Sequence, residues 1–196
     1  MVKIGLTGGI ATGKSTVGRL LRQKGVIVVS SDELTHRAMT PNGAAYRRIV
    51  AEFGPEILTA DGEINRRFLG KIVFKDDVAR RKLEQIVHPI VMKEICDSFE
   101  GYSKQGVPIV VVEVPLLFEV GWIDLFDQIW VVSSNLDRQL QRIYARDGLS
   151  EEEAKERIAA QLQLEEKEKR ADVVIKNNNG LDSLEEQVSR LLRTLE

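Results

Sequence analysis

The sequence predicts an α/β protein: a five-stranded parallel sheet between two helical layers (α/β/α), interrupted by two helical insertions. Three observations carry this. Five short β-branched runs, 2–6, 26–30, 108–114, 128–132 and 172–176, are apolar nearly throughout rather than alternating, as in strands covered on both faces. Helical spacing separates most of them, and strand–helix alternation gives parallel strands with right-handed crossovers. With 196 residues, 43% of them hydrophobic, the chain can bury one sizeable core.

The first strand begins at residue 2, with no basic region, long apolar stretch and cleavage site of a signal peptide before it. The longest apolar run, near 109–112, is too short to span a bilayer. The expectation is a soluble cytoplasmic protein with no membrane partner. After the first strand, Val17, Leu20 and Leu21 fall at i, i+3, i+4, and Gly25 stops that helix. Between the second and third strands, 31–107 holds helical segments and turn signals at Pro41-Asn42-Gly43 and Asp61-Gly62. That is an inserted helical subdomain, not a loop. Between the fourth and fifth strands, 135–171 is helical and charged. Gly148 separates two helices there, and Ser150 with Glu153 makes a capping box for the second. The expected organisation is a core of 1–31, 103–135 and 171–196, an inserted domain of 32–102 and a helical segment of 136–170.

The formal charge of −2 does not suggest a nucleic-acid binder. Cys96 is the only cysteine, so no intramolecular disulfide forms and no Cys/His pair has zinc spacing. Its place among Val91, Ile95 and Phe99 predicts a small core residue. Trp122 and Trp130 read as packing residues.

Gly8-Gly9-Ile10-Ala11-Thr12-Gly13-Lys14-Ser15, followed by Thr16, fits the phosphate-binding pattern G-x-x-x-x-G-K-[ST]. Glycines let the backbone bend so that N–H groups converge on phosphate oxygens. The following helix directs its N-terminus at the anion. Lys14 is placed for the β- and γ-phosphates and the Ser15 hydroxyl for Mg²⁺, so ATP and Mg²⁺ are the expected cofactors. The bland alternative is a glycine-rich turn that happens to precede Lys-Ser.

Ligands in open α/β sheets lie beyond the carboxyl ends of the strands. Asp32, just after the second strand, is therefore a candidate to accept a proton from an attacking hydroxyl or to help hold the metal. It is equally placed to N-cap the next helix. Glu113 ends the third strand, where a carboxylate can act on Mg²⁺ through water. Pro115-Leu116-Leu117-Phe118-Glu119 then turns the chain away. For Glu113 and Glu119 the competing reading is a solvated loop carboxylate. Arg138, Arg142 and Arg146 recur at i, i+4, i+8 on one helix face. Like charges at that spacing repel unless an anion, such as a transferring phosphate, is present. The alternative is a solvated face neutralised by nearby acids. His36 and His88 are the only histidines. Pro89 biases His88 toward an extended conformation that would present its ring to a groove.

Taken together, Thr7-Gly8-Gly9-Ile10 leading into Gly13-Lys14-Ser15-Thr16, Asp32, Phe53-Gly54 with Asp61-Gly62, Leu83-Glu84 with His88-Pro89, Pro115-Leu116-Leu117-Phe118-Glu119, Gln139 with Arg142 and Arg146, Gln161, and Ala171-Asp172-Val173 through Asn177 resemble the dephospho-coenzyme A kinase family over essentially the whole chain. The resemblance implies transfer of the ATP γ-phosphate to the ribose 3′-hydroxyl of dephospho-coenzyme A. It implies a P-loop core related to nucleoside monophosphate kinases, with 32–102 binding the acceptor and 136–170 forming a mobile lid. It makes Asp32 the catalytic carboxylate and Arg142 or Arg146 a lid contact. It sets Asn177 near the adenine of ATP, and Arg66, His88, Pro115, Leu116 and Glu119 on the acceptor side. Members often have Gly-Ser at Ala11-Thr12, and Leu-Asp-Arg where Ile64-Asn65-Arg66 stands. The expected partner is the small-molecule acceptor, with no nucleic acid, the chain being a monomer or weak homo-oligomer. The competing readings are another small-molecule P-loop kinase, such as a nucleoside monophosphate kinase, and a nucleotide-binding switch. The guanine-switch signatures Asn-Lys-x-Asp and Asp-x-x-Gly are missing from the sequence.

Overall fold

The five apolar runs are strands. The computed structural model, which describes residues 1–195, has β1 (Val2–Gly8), β2 (Ile27–Ser30), β3 (Ile109–Glu113), β4 (Gln128–Ser133) and β5 (Val173–Lys176) in one sheet of order β2-β3-β1-β4-β5. β1 pairs in parallel with β3, Leu6 opposite Glu113, and with β4, Gly8 opposite Val132. β4 pairs in parallel with β5, Ser133 opposite Lys176. Parallel pairing brings Gly8, Glu113, Ser133 and Lys176 to the same edge, the carboxyl edge on which such sheets build their sites.

The chain divides into two compact units: Met1–Val29 with the chain from Tyr102 onward, and Ser30–Gly101. In the first unit, α1 (Lys14–Gln23) and α9 (Leu181–Arg193) contribute Val17, Leu20, Leu21, Leu184 and Val188 to a core with Ile4, Leu6, Val111, Trp130, Val132 and Ile175. Each such side chain gives about 1.5–3 kcal/mol on burial. Gly5 alternates with Ile4 and Leu6 and so faces the other way. A Cβ there would stand 2.6 Å from Leu117 and 2.9 Å from Phe126, so only glycine lets those side chains close on the strand. The same unit contains α6 (Leu136–Asp147), α7 (Glu151–Ala159) and α8 (Leu164–Lys169). Gly148, at φ 67°, ends α6, and the reciprocal Ser150–Glu153 capping box opens α7. Trp122 and Trp130 are both buried.

The second unit holds α2 (Ser31–Ala38), α3 (Tyr46–Phe53), α4 (Arg66–Lys75) and most of α5 (Asp77–Lys104). Its interior includes Leu34, Ile49, Ile57, Leu69, Val91 and Ile95. Asp61-Gly62 turns the chain so that Leu58 and Ile64 form an antiparallel bridge, with Gly62 at φ 76°. Asn65 then caps α4 by accepting from Phe68 N at 3.0 Å.

Two expectations fail on α5. His88 is helical, not extended, because the helix runs through Pro89. The bias against helix before proline is outweighed by the buried ridge Val87, Val91, Ile95 and Phe99 at i, i+4 intervals. Cys96 is exposed. It follows Ile95, and one residue turns a helix by about 100°, which carries Cys96 off the buried ridge. Among the described residues no helix is long and apolar enough to cross a membrane.

Candidate active site

The phosphate loop bends where its glycines require it. Gly13 caps α1 at φ 99°, a left-handed value, and a Cβ there would run into Asn177 Nδ2. Ala11 is also left-handed, at φ 58°, alone among the described non-glycine residues. Lys14, Ser15 and Thr16 form the first turn of α1, so the helix N-terminus opens into the loop. Within the loop, Thr12 Oγ1 donates to Gly9 O at 2.9 Å.

Side chains distant in sequence hold this loop. Asn177 is buried just after β5, and its Nδ2 donates to Thr12 O at 2.8 Å. Arg142 on α6 donates through NH1 to Ala11 O and Thr12 O, both at 3.1 Å, and through NH2 to Asn177 O at 3.1 Å. Burial, with Arg138 close by, draws the Arg142 guanidinium below its ordinary pKa. Gln161, between α7 and α8, accepts from Ile10 N at 2.9 Å. Gln139 donates to Ser134 O at 3.0 Å, fixing the end of β4 beside the loop. A cavity of about 380 Å³ borders Gly9 and Ile10 and is lined further by Ser133, Gln139, Gln161 and Glu168. Glu168 accepts from Ser133 Oγ and, at 2.9 Å, from Lys176. Burial opposes its ionisation, but these two donors together prevail and its pKa is lowered.

The other candidates separate into groups. Glu113 is buried, 3.2 Å from Arg22 NH2, with its carboxylate directed at Gly18, where any Cβ would collide with it. Pro115 and Leu116 follow β3, and Leu116 is exposed. Glu119 accepts from Leu162 N at 3.1 Å and lies 2.7 Å from the fully buried Lys167. Arg146 does not join Arg142: it is exposed and forks onto Asp147 at 2.8 and 2.9 Å. That fork raises the pKa of Arg146 and lowers that of Asp147. In the second unit, Ser30 and not Asp32 caps α2, accepting from Glu33 N at 3.3 Å. Asp32 is thus exposed in the first helical turn without serving as the cap. Arg66 NH1 lies 3.1 Å from His36 Nδ1. His88 is half-buried; burial pushes its pKa down, against the opposing pull of Glu84.

Neither the tether from Gln161 to Ile10 nor the buried Lys167 stands out from sequence pattern. Gln161 enters only as part of the family resemblance, and Lys167 sits in a run of charges that reads as solvated. Among the described residues there is no cluster of three or more His, Cys, Asp or Glu that could hold a metal alone. A magnesium ion carried by nucleotide phosphates needs only one or two protein oxygens; the Ser15 hydroxyl, in the first turn of α1, suits that demand, whereas the Glu113 carboxylate is engaged by Arg22 and turned toward Gly18.

The model of the dephospho-CoA kinase family matches residues 2–183. The chain belongs to the dephospho-CoA kinase family. A dephospho-CoA kinase from Symbiobacterium thermophilum is 47% identical over 190 residues, 97% of this chain and 80% of that protein. The dephospho-CoA kinase of Geobacter sulfurreducens is 45% identical over 188 residues, 96% of this chain and 95% of the other. Among solved structures, the dephospho-CoA kinase from Campylobacter jejuni superposes with a TM-score of 0.74 at 31% identity, covering 98% of this chain and 96% of that one. The expected α/β/α P-loop kinase fold and kinase activity therefore stand.

Proposed function

We propose that the chain transfers the γ-phosphate of ATP to the ribose 3′-hydroxyl of dephospho-coenzyme A, giving coenzyme A and ADP, the last step of coenzyme A synthesis. The observation that carries this is the family match over 2–183 on a chain whose phosphate loop is bent and tethered at the N-terminus of α1.

The backbone N–H groups of the loop and of Lys14, Ser15 and Thr16 receive the phosphates, and the Lys14 ammonium binds the β/γ region. The Ser15 hydroxyl would hold Mg²⁺, with the Glu113 carboxylate on the metal side, and the ion would supply positive charge to offset that of the phosphates. Asp32 orients the acceptor hydroxyl and takes its proton as the new O–P bond forms and the bond to the ADP oxygen breaks. Its freedom from capping duty supports that role. Asn177 lies on the adenine side. Arg66, His88, Pro115, Leu116 and Glu119 lie on the acceptor side. Residues 136–170 act as a lid, from which Arg142 or Arg146 reaches the transferring phosphate; Arg142 would do so only by releasing the loop carbonyls it holds, whereas Arg146 is exposed and held by Asp147. Residues 32–102 hold the acceptor. The enzyme works in the cytoplasm as a monomer or weak homo-oligomer.

Asp32→Asn tests the chemical assignment, being nearly isosteric but unable to accept the proton. Single-turnover transfer is expected to slow about 10²-fold or more while ATP affinity and melting temperature hold. Transfer at a near wild-type rate removes Asp32 from the base role and leaves Glu113 next in line. Loss of Mg²⁺-dependent nucleotide binding makes Asp32 a metal-side residue instead.

A further inference from the structure

The phosphate loop contains a backbone conformation that its sequence does not favour. Ala11 sits at φ 58°. A non-glycine residue there gives up about 1–2 kcal/mol relative to the right-handed region. Such a residue keeps its conformation only where its surroundings over-determine it. Two side chains from outside the loop supply that constraint. On one side of the Ile10–Ala11 peptide, Gln161 Oε1 accepts from Ile10 N at 2.9 Å across 151 residues of sequence. On the other, Arg142 NH1 donates to Ala11 O at 3.1 Å.

Gln161 is itself anchored. It lies two residues after the end of α7, and the next residue, Leu162, donates its N–H to Glu119 Oε1 at 3.1 Å. The same oxygen lies 2.7 Å from the fully buried Lys167 on α8. The Arg170 guanidinium lies 4.6 Å from the centre of the Phe118 ring. Residues 118–119 thus grip 162–170 at three points, and Gln161 projects from the start of that gripped segment onto the loop.

We infer that Gln161 is a positioning residue for the phosphate loop: by holding the Ile10 N–H it keeps the strained Ile10-Ala11-Thr12 arm in its nucleotide-receiving shape. Gln161 acts on the loop, not on the reacting atoms. The inference rests on the phosphate-loop part of the proposed function. Nucleotide binding measured without any acceptor separates its failure from a wrong choice of acceptor.

The test replaces Gln161 by Met, which keeps the length and removes the acceptor. The dissociation constant for Mg²⁺-ATP, measured by titration calorimetry without acceptor, is expected to rise about three- to tenfold, the worth of one net hydrogen bond. KM for ATP should rise in step while kcat changes less than about twofold, since uniform binding is what is lost. Amide exchange at Ile10 in the free enzyme should accelerate. In an Ala11→Gly background, where a left-handed residue carries no Cβ penalty, the loss on Gln161→Met should shrink below about twofold. A purely structural defect would lower the melting temperature without that rescue. Unchanged ATP affinity and unchanged Ile10 exchange in Gln161→Met overturn the inference, as does a fall in kcat with ATP affinity intact. Should Gln161→Met not fold, Ile10 exchange in the wild type decides. Protection in the free enzyme supports the tether, and exchange at the rate of an open loop overturns it.

Discussion

Arg142 offers the sharpest test of how the site is built. Its guanidinium reaches Ala11 O, Thr12 O and Asn177 O, all at 3.1 Å, within a partly buried setting. Replacement by Met keeps the stem and removes every donor. Thr12 O would still have Asn177 Nδ2 at 2.8 Å, and Asn177 O would still have Ser134 Oγ at 3.2 Å. The loss therefore falls mainly on Ala11 O, with weaker support at the other two carbonyls. A hydrogen bond from a charged donor is worth about 1.5–3 kcal/mol. One bond lost outright and two partly replaced, at a half-covered site, give about 2 kcal/mol. For a chain of this size that lowers the melting temperature by about 4–8 °C. ATP affinity should fall with it, because Ala11 and Thr12 lie in the phosphate loop. Arg142→Lys should fall between, since one ammonium cannot fork across three carbonyls. Differential scanning calorimetry and nucleotide titration read both quantities. A variant with wild-type melting temperature and ATP affinity but a kcat reduced a hundredfold would refute this reasoning. Arg142 would then leave the carbonyls in the working enzyme and act on phosphate.

Other outcomes follow from the same contacts. Glu119→Ala strands the buried Lys167 ammonium and should cost about 3–5 kcal/mol in a denaturant melt; a loss below about 1 kcal/mol would mean that the pair is not held in solution. Gly13→Ala should abolish nucleotide binding, because a Cβ strikes Asn177, while Gly25→Ala, also left-handed at φ 82° but with nothing within 4 Å, should lose a little stability and retain binding. Equal binding by the two variants would contradict the reading of Gly13. His88 has a folded pKa below its ordinary 6.5, so the unfolded chain binds the proton first as pH falls. Stability is then unaffected above about pH 6.5 and declines below it, down to the folded pKa. His88→Gln should flatten that part of the stability–pH curve, and an unchanged slope would assign the proton elsewhere.

What the sequence reveals about this protein depends on how local the determining physics is. The strands are legible because a run such as Val110-Val111-Val112 is buried on both faces and needs no partner to be recognised. Their order is not, since the placing of β1 between β3 and β4 depends on crossovers. The phosphate loop is legible because glycines and Lys14-Ser15 work at fixed neighbouring positions. What holds the loop is not: Arg142 and Ile10's partner Gln161 act across 131 and 151 residues. Arg142 and Arg146 look equivalent as a stripe. The structure separates them because Asp147 stands beside Arg146, while α6 delivers Arg142 to the loop carbonyls. Cys96 and His88 mislead for related reasons, one lying a residue off the buried ridge of α5, the other carried through a proline by that ridge.

The most direct measurement of the central claim is product analysis of the purified enzyme with Mg²⁺-ATP and a panel of acceptors: dephospho-coenzyme A, AMP and shikimate. ADP release should depend on dephospho-coenzyme A and match, one for one, the formation of coenzyme A phosphorylated at the ribose 3′-hydroxyl, with AMP and shikimate giving only background. ADP release that ignores dephospho-coenzyme A, or that AMP supports equally well, would contradict the account.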